Sequence, residues 1–360
     1  MKRVALASYD LVPSSKGAAQ HILANAHHLR ERYQVSLITL GQQPIYGWRH
    51  LPIDILLPNW LSRGKEFYRR CKDIFAKNPF DIYHVRSPWE GLAVPHGKAL
   101  IYEVNGLASI EMPYHYPKMI EQPQLRGKLR NMELALLDRA TRIVVTNPVT
   151  ESYLLDLGVP VEKIRIVPNA PSFDIVEPSS RASHDPVRVC YIGTLTRWQG
   201  VYNAIRALER IDSFDFRLRM LCPSKGRKAF EKWVYKRAVG EKVSVEDTLP
   251  KDQLQKFLKE QDIGLAPLTP CARNLIQGCM PIKLLDYLAT GLAVVTSDLP
   301  VTRYVVGDEG YYYRPYSTDS FVQALEKAAG ASKNPQVQII EKFSKSKQRE
   351  ALLSIYDELT

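Results

Sequence analysis

The chain has 360 residues, of which 45% are hydrophobic and 24% charged, and its formal net charge is +11. This length suits two domains of ordinary size, and this composition is typical of a soluble globular protein and not of a disordered or fibrous one. No apolar run approaches the roughly 18 residues that a membrane-spanning helix needs, so an integral membrane protein is excluded.

The positive charge calls for an anionic partner: a substrate, a membrane surface or a nucleic acid. No nucleic-acid-binding motif accompanies the charge, so we expect no nucleic-acid partner. The five cysteines form no CxxC pair, which favours reduced thiols and argues against a zinc site. The opening MKRVALASYD turns polar too soon for a signal peptide, so we expect a first strand here and a cytoplasmic protein.

The N-terminal segment predicts a strand at 4–8, a helix over about 18–32 and a second strand at 35–40. This is a βαβ start, and its turn contains Lys16 and Gly17. Doubly wound sheets bind ligands at such turns.

Residues 59–77 mix aromatic and basic side chains at helical spacing. Two interpretations stay open. A basic amphipathic helix suits an anionic membrane surface, and membrane binding at the inner face of the cell membrane would follow. Alternatively, the aromatic stripe packs on the sheet and leaves a solvated basic face.

Strands predicted at 81–85 and 100–104 end in polar residues, namely His84 and Arg86, then Glu103 and Asn105. Parallel sheets place their chemistry at the carboxyl ends of strands, so these are candidate site residues. Asn105 with Gly106 also fits a plain turn.

The pattern continues with alternating helices and strands, predicted at 133–140, 142–146, 149–157 and 163–167. A segment rich in Pro and Ser, 173–186, predicts a linker. Beyond it the pattern predicts strands at 187–192, 216–221, 243–245 and 262–268, and helices at 321–329 and about 348–359.

The most informative stretch is QGCMPIKLLDYLATGLAVVTSD, residues 277–298. It predicts a loop, a helix that begins near Pro281, a turn at Gly291 and a buried strand. The loop would present backbone N–H groups at a helix N-terminus with Lys283 one turn in, which suits a phosphate. The alternative is an ordinary amphipathic helix on which Lys283 and Asp286 form a solvated pair.

The segment MPIKLLDYLATGLAVVTSDLP closely resembles a signature of nucleotide-sugar-dependent glycosyltransferases of family 4, or group 1. A second run, DRATRIVVTNPVTESYLLDLGVPVEKIRIVPNA, resembles the element that closes the first domain in that family. The resemblance covers nearly the whole chain and implies an α/β protein of the GT-B fold. Two Rossmann-like, doubly wound parallel-sheet domains would face a cleft. The acceptor-side domain would span 1–173, with a helix at 346–360 packing back onto it, and the nucleotide-sugar domain 174–345.

The resemblance also implies roles for individual residues. Lys283, Arg197 and Asn105 are the catalytic candidates, and His84, Arg86 and Glu103 the candidates on the acceptor side. The candidates for donor binding are Lys16, Gly17, Gly193, Thr194, Thr196, Gln199, Gly278, Cys279, Met280, Ile282 and Asp286.

Several of these positions depart from the family pattern. Asn105 replaces a frequent histidine, and Thr194 and Gln199 replace a loop arginine and a loop lysine. Gly278 replaces a glutamate that holds sugar hydroxyls in many members. Arg197, the one cation left in its loop, would either bind the pyrophosphate or point to solvent.

The function implied is a retaining glycosyltransferase that extends a glycan or lipid-linked acceptor in cell-surface polysaccharide or glycolipid synthesis. No Asp-x-Asp occurs in the sequence, so we expect neither a metal nor a cofactor. The lost family residues leave one alternative, a catalytically impaired scaffold or glycan-binding partner. Retention of Lys283 favours the enzyme.

Overall fold

The computed structural model describes residues 1–14, 17–117, 122–175, 184–331 and 342–359. The chain divides into two compact units. The first comprises Met1–Pro168 and Ser346–Thr360, and the second comprises Asn169–Lys345.

The first unit is built on a seven-stranded sheet in which every described pairing is parallel. Its strands are β1 Arg3–Leu11, β2 Gln34–Leu40, β3 Arg49–Ile53, β4 Ile82–Val85, β5 Ala99–Val104, β6 Arg142–Val145 and β7 Ile164–Ile166. Their spatial order is β3-β2-β1-β4-β5-β6-β7. The order reverses between β1 and β4, and this is where doubly wound sheets bind ligands.

Helices cover both faces of this sheet. They are α1 Gly17–Leu29, α2 Trp60–Lys77, α3 Pro88–Gly91, α4 Ala108–His115, α5 Pro123–Arg139, α6 Pro148–Asp156 and the C-terminal helix Lys345–Asp357. One apolar core includes residues of α2, α3, α4 and α5, and a second includes residues of α1 and the C-terminal helix. Strands buried on both faces explain the nearly continuous apolar runs in the sequence.

The second unit repeats the design with a six-stranded parallel sheet. Its strands are β8 Val187–Ile192, β9 Phe216–Leu221, β10 Val243–Glu246, β11 Ile263–Ala266, β12 Ala293–Ser297 and β13 Tyr311–Tyr313, in the order β10-β9-β8-β11-β12-β13. The helices are α7 Val201–Leu208, α8 Arg227–Tyr235, α9 Lys251–Lys259, α10 Ala272–Leu275, α11 Ile282–Ala289, α12 Pro300–Val306 and α13 Thr318–Ala329. The predicted fold class, two Rossmann-like parallel sheets, is confirmed.

Helix α2 packs as the second of its two interpretations described, with its aromatic stripe against the sheet. Phe67, Cys71 and Phe75 are buried in the core, so the aromatic stripe lies against the sheet. Arg69 and Arg70 are exposed and both pair with Glu66. The packed stripe and the solvated basic face are therefore present, and membrane binding stays a prediction. Within the described ranges, no helix combines the length and apolar character needed to cross a bilayer.

Several elements differ from the sequence prediction, and two of them show why. Strand β3, Arg49–Ile53, was not predicted, because its basic residues and Pro52 interrupt the apolar pattern. It is an edge strand, where a proline is tolerated. Helix α5 begins at Pro123, about three turns before the predicted start at residue 133, because its exposed first turns carry no apolar signal.

Helix α11 begins and ends where the pattern placed it, with Pro281 as its cap residue and Gly291 in the left-handed region at φ 75°. The solvated pair proposed as its alternative is wrong, because Asp286 is buried and Lys283 bonds elsewhere. Tyr287 is also buried. Its hydroxyl accepts from the N–H of Ile192 at 2.9 Å and donates to the carbonyl of Leu265 at 3.2 Å.

A glycine makes this packing of Tyr287 possible. A Cβ at Gly264 on β11 would lie 2.4 Å from the Tyr287 ring. The ring can therefore reach between β8 and β11 and fix α11 to the centre of the sheet. The position of Lys283 is set by this anchor one turn further along the same helix.

Candidate functional site

Lys283 lies in a partly buried position beside the loop 193–200. Its ammonium donates to Oε1 of Gln199 at 2.7 Å and sits 4.1 Å from the centroid of the Tyr191 ring. Among the described residues, no carboxylate forms an ion pair with it. An ammonium has three donor hydrogens, so a single hydrogen bond leaves two for a ligand.

Burial is the main cause that lowers the pKa of Lys283, to about 7, and the charge of Arg273 lowers it further. A nearby thiol, Cys222, acts in the opposite direction, but burial raises its own pKa to about 12. Among the residues that the structure describes, this cation thus has no anion to match it. An anionic ligand would meet that charge directly.

Gly193 allows the loop to approach this lysine closely. A Cβ on residue 193 would lie 2.7 Å from Nζ of Lys283 and 3.0 Å from the hydroxyl of Tyr191. That hydroxyl donates to the carbonyl of Thr194 at 2.6 Å, which fixes the start of the loop. Thr194 and Thr196 are linked through their hydroxyls at 3.0 Å.

The end of the loop is equally constrained. Gly200 has φ 68°, and a Cβ there would lie 1.7 Å from the carbonyl oxygen of Pro267, so only glycine fits. The N–H groups of Gln199 and Gly200 donate to loop carbonyls, and that of Gly193 donates to Leu221. These three N–H groups therefore already have acceptors within the protein.

Arg197 is exposed, and its side chain forms no hydrogen bond or ion pair with any residue that the structure describes. Of its two predicted orientations, the solvent-facing one matches this placement. Its catalytic role stays a prediction.

A second cation, Arg273, lies between the two predicted donor loops. Its guanidinium is 4.9 Å from the Trp198 ring, and one of its nitrogens donates to Sγ of Cys279 at 2.9 Å. The N–H of Cys279 donates to the Arg273 carbonyl at 3.4 Å. The sequence analysis missed Arg273, because a lone arginine six positions before Cys279 carries no periodic signal.

The remaining donor-side candidates surround the start of α11. Gly278 is buried with φ 70°, and Ile282 is the first, partly buried residue of the helix. Met280 is buried, and its carbonyl accepts from Nδ2 of Asn169 at 3.3 Å. The first N–H groups of α11 have no acceptor within the helix, as at every helix N-terminus.

Asp286 points away from Lys283 in its bonding. Its carboxylate accepts the N–H of Ser172 at 2.7 Å and the Ser172 hydroxyl at 3.0 Å. Burial raises the pKa of Asp286 to about 6, while the Ser172 bonds act to lower it. The predicted contact of Asp286 with a donor ribose stays a prediction, and Ser172 is a partner that the sequence did not reveal.

In the first unit, Glu103 is the centre of a buried polar cluster. Its carboxylate lies 2.8 Å from Nε2 of His21, 3.0 Å from Nε2 of His84 and 3.3 Å from Nε of Arg86. Burial alone would raise the pKa of Glu103, but the charges of His21 and Arg86 and the hydrogen bonds from His21 and His84 hold it well below the usual range. Glu103 therefore stays ionised.

Two amides complete this cluster. Asn25 donates to Glu103 at 3.1 Å, and the side-chain amide of Asn105 donates to the same carboxylate. Since Asn105 is held through its nitrogen, its oxygen is left as the group that can accept from a sugar hydroxyl. The sequence missed His21 and Asn25, although their i, i+4 spacing places both polar residues on one face of α1.

The structure thus brings together all four polar candidates of the first unit, with unequal access to a ligand. His84 is fully buried, and its second ring nitrogen lies 2.7 Å from the hydroxyl of Tyr356. Its predicted place on the acceptor side stays a prediction. Gly17 is the exposed first residue of α1, and Lys16 lies outside the described residues.

In the described part of the chain, no group of three or more His, Cys, Asp or Glu side chains is arranged to hold a metal ion. Independence from metals stays a prediction.

Two family models match the chain. The model of glycosyltransferase family 4 matches residues 15–171, and that of the glycosyl transferases group 1 matches residues 186–330. Comparison with curated protein sequences gave no match.

Solved structures share the fold at low sequence identity. Sucrose-phosphate synthase from Thermosynechococcus elongatus superposes with a TM-score of 0.80 at 16% identity, over 100% of this chain and 99% of that one. WaaG, a glycosyltransferase involved in lipopolysaccharide biosynthesis, superposes with a TM-score of 0.67 at 15% identity, over 98% of this chain and 95% of that one. HepE from Anabaena in complex with UDP-glucose superposes with a TM-score of 0.69 at 12% identity, over 98% of this chain and 99% of that one.

Proposed function

This chain belongs to the GT-B glycosyltransferases of family 4, or group 1, and we propose that it moves a sugar from a nucleotide-sugar donor to a glycan or lipid-linked acceptor. One observation carries the donor assignment: the ammonium of Lys283 lies beside a glycine loop and a helix N-terminus, and its one hydrogen bond within the described ranges is to the neutral amide of Gln199. A diphosphate supplies the missing negative charge and accepts hydrogen bonds from the same groups.

The role of this site in the reaction is electrostatic. When the bond between the sugar and the diphosphate breaks, negative charge grows on the departing phosphate oxygen. Lys283 and the first N–H groups of α11 are fixed before the reaction and stabilise that charge without reorganising. In this proposal no metal ion is needed.

We propose that the anomeric configuration is retained. The acceptor hydroxyl attacks on the face that the diphosphate leaves, and a phosphate oxygen of the leaving group takes its proton. Asn105, held by Glu103, accepts a hydrogen bond from a sugar hydroxyl. No protein nucleophile is required by this route.

A role at the cytoplasmic face of a membrane, in cell-surface glycan synthesis, accords with three observations. The chain carries a net charge of +11, α2 has an exposed basic face, and Leu56, four residues before that helix, is 83% exposed. Cationic side chains beside an exposed leucine suit an anionic lipid surface. Flotation with phosphatidylserine vesicles tests this, with Lys65→Glu/Lys72→Glu as the charge-reversed comparison. Equal flotation of both proteins, or none by either, would contradict membrane binding through α2.

A thermal-shift panel tests the donor assignment. UDP-, GDP-, ADP- and CMP-sugars are each added to the native protein and to Lys283→Ala. A ligand that binds only the folded state raises the melting temperature by mass action. At a hundredfold excess over Kd, the free energy of unfolding increases by about 2.7 kcal/mol. We expect one nucleotide to stabilise the native protein and not the variant. If none does while the protein is folded, the chain is better explained as a scaffold or glycan-binding partner.

A further inference from the structure

Arg273 occupies the corner between the loops 193–200 and 277–280. Its guanidinium lies 4.9 Å from the Trp198 ring of the first loop and donates to Sγ of Cys279 in the second at 2.9 Å. It therefore contacts both loops that border Lys283. Arg197, in contrast, is exposed, and its guanidinium forms no hydrogen bond or ion pair with the described residues.

The backbone around Arg273 is fixed by its neighbour. Asn274 is fully buried, and its Nδ2 donates to the carbonyls of Trp198 at 3.0 Å and Thr269 at 2.9 Å. These bonds tie α10 to the loop that holds Gln199. The position of the guanidinium is thus set by the fold before any ligand arrives, which reduces the entropy lost on binding.

The charges in this corner point to an anion. The charge of Arg273 lowers the pKa of Lys283, because two like charges repel each other. Nothing among the described residues offsets Lys283 with a carboxylate, and its one hydrogen-bond acceptor is the neutral Gln199. Two neighbouring cations in a partly buried corner are stabilised when an anion lies against both.

A diphosphate fits this pair better than a single charge does. Its two phosphate groups each present negative oxygens, one for the ammonium and one for the guanidinium. A guanidinium offers donors in a planar fork that matches phosphate oxygens, and its face can stack on an indole at the same time. Arg273 would thereby restore the charge that Thr194 and Gln199 have removed from the family's loop.

We infer that Arg273 is the second phosphate-binding cation of the donor site, acting with Lys283 in place of the arginine and lysine missing from the loop 193–200. The inference rests on the proposed function, since it assumes that a nucleotide diphosphate binds at Lys283.

Isothermal titration with UDP, GDP, ADP and CDP, and with the matching nucleosides, tests it. First the native protein identifies which diphosphate binds. The affinity for that diphosphate is then measured for Arg273→Gln, for Arg197→Gln and for Arg210→Gln, an exposed position in the same unit that controls for the lost charge. Losing a charge-assisted contact should weaken binding by about tenfold or more in Arg273→Gln. We expect a change of less than about threefold for Arg210→Gln, as for a charge outside the contact, and a smaller loss for Arg197→Gln than for Arg273→Gln.

The nucleoside separates a phosphate contact from a general disturbance. If Arg273 binds phosphate, its substitution lowers the affinity for the diphosphate far more than the affinity for the nucleoside. An equal loss for both ligands would overturn the inference, as would undiminished diphosphate affinity or a larger loss in Arg197→Gln. If Arg273→Gln does not fold, Arg273→Lys decides: it keeps the charge without the fork, and an equal loss of affinity for the diphosphate and for the nucleoside in this variant would overturn the inference as well.

Failure of the proposed function gives a different result. If the native protein binds none of the four diphosphates, the donor assignment itself is wrong and the role of Arg273 falls with it. If the native protein binds one and Lys283→Ala does not, the donor site stands whatever Arg273→Gln shows.

Discussion

Nζ of Lys283 donates a 2.7 Å hydrogen bond to Oε1 of Gln199, which lies 84 positions earlier in the chain. An amide holds the ammonium in place without neutralising it. A carboxylate at the same distance would form an ion pair and compete with a phosphate. Because residue 199 is a neutral glutamine, the charge of Lys283 is left to attract an anionic ligand.

Gln199→Glu should abolish most nucleotide binding while leaving the protein folded. The new carboxylate has the shape of the amide, pairs with Lys283 and repels the diphosphate. We expect the affinity for the donor nucleotide to fall by about tenfold or more, since a lost charge-assisted contact is worth about 1.5–3 kcal/mol. Titration calorimetry measures it, with the exposed Asn203→Asp as a control for added negative charge. Native affinity in Gln199→Glu would place the diphosphate elsewhere.

Gly193→Ala should weaken nucleotide binding by displacing Lys283. The added Cβ would lie 2.7 Å from Nζ, closer than carbon and nitrogen can approach, so the ammonium must move. Gly226→Ala is the matched control, because Gly226 also has a positive φ, 79°, but open space around its Cβ.

Both glycine variants should lose about 1–2 kcal/mol of unfolding free energy, because a Cβ is disfavoured at positive φ. The nucleotide affinity should fall only in Gly193→Ala. Chemical denaturation and calorimetry on the same samples separate the two effects. Equal affinities in the two variants would mean that the approach of the loop to Lys283 does not matter for binding.

The sheets could be predicted from sequence because parallel strands buried on both faces leave strong apolar runs. The segment at 187–192 coincides with β8, and the segment at 216–221 coincides with β9, in which two arginines alternate with buried apolar residues. Strand β3 carries no such pattern because Pro52 interrupts it, and a proline is tolerated there because β3 is an edge strand. Its pairing with β2 is decided by the tertiary fold and not by its own sequence.

Side-chain environments were much harder to predict than elements. Asp286 and Tyr287 looked like a solvated face of α11, yet both are buried, because Ser172, Ile192 and Leu265 provide polar partners from distant parts of the chain. A polar residue with such partners cannot be told from an exposed one by periodicity. The same limit hid Arg273, whose position depends on Trp198 and Cys279.

Glu103→Gln should destabilise the first unit strongly. The carboxylate receives bonds from His21, His84 and Asn25 and pairs with Arg86, all in a buried setting. Removing one partner of a buried ion pair leaves the other charge without compensation, which costs about 3–5 kcal/mol. Urea denaturation at neutral pH should show a loss of this order. A loss below about 1 kcal/mol would mean that the cluster is hydrated and not buried.

The pH dependence of that loss has a definite sign. The folded state lowers the pKa of Glu103 below its ordinary value, so the carboxylate stabilises the fold above the unfolded pKa of about 4.3. The contribution then disappears as the pH falls toward the folded pKa. The gap between the native protein and Glu103→Gln should therefore narrow below about pH 4.

Nucleotide-sugar binding should weaken as the pH rises above 7. Burial lowers the pKa of Lys283 to about 7, so the ligand-free site carries its charge below that pH and loses it above. A bound diphosphate favours the charged form and raises the pKa, so binding at higher pH must take up a proton. Linkage then makes the apparent affinity fall by up to about tenfold per pH unit, until the pKa of the complex is reached.

Calorimetry between pH 6.5 and 9 tests this with a nucleotide sugar, whose two phosphates do not titrate in that range. Lys283→Arg is the comparison, because a guanidinium stays protonated throughout and should give a flat profile. Binding measured in buffers of different ionisation enthalpy should also show proton uptake near pH 8 for the native protein alone. A flat profile for the native protein would mean that Lys283 is charged at all these values, and that its neutral surroundings do not set its pKa.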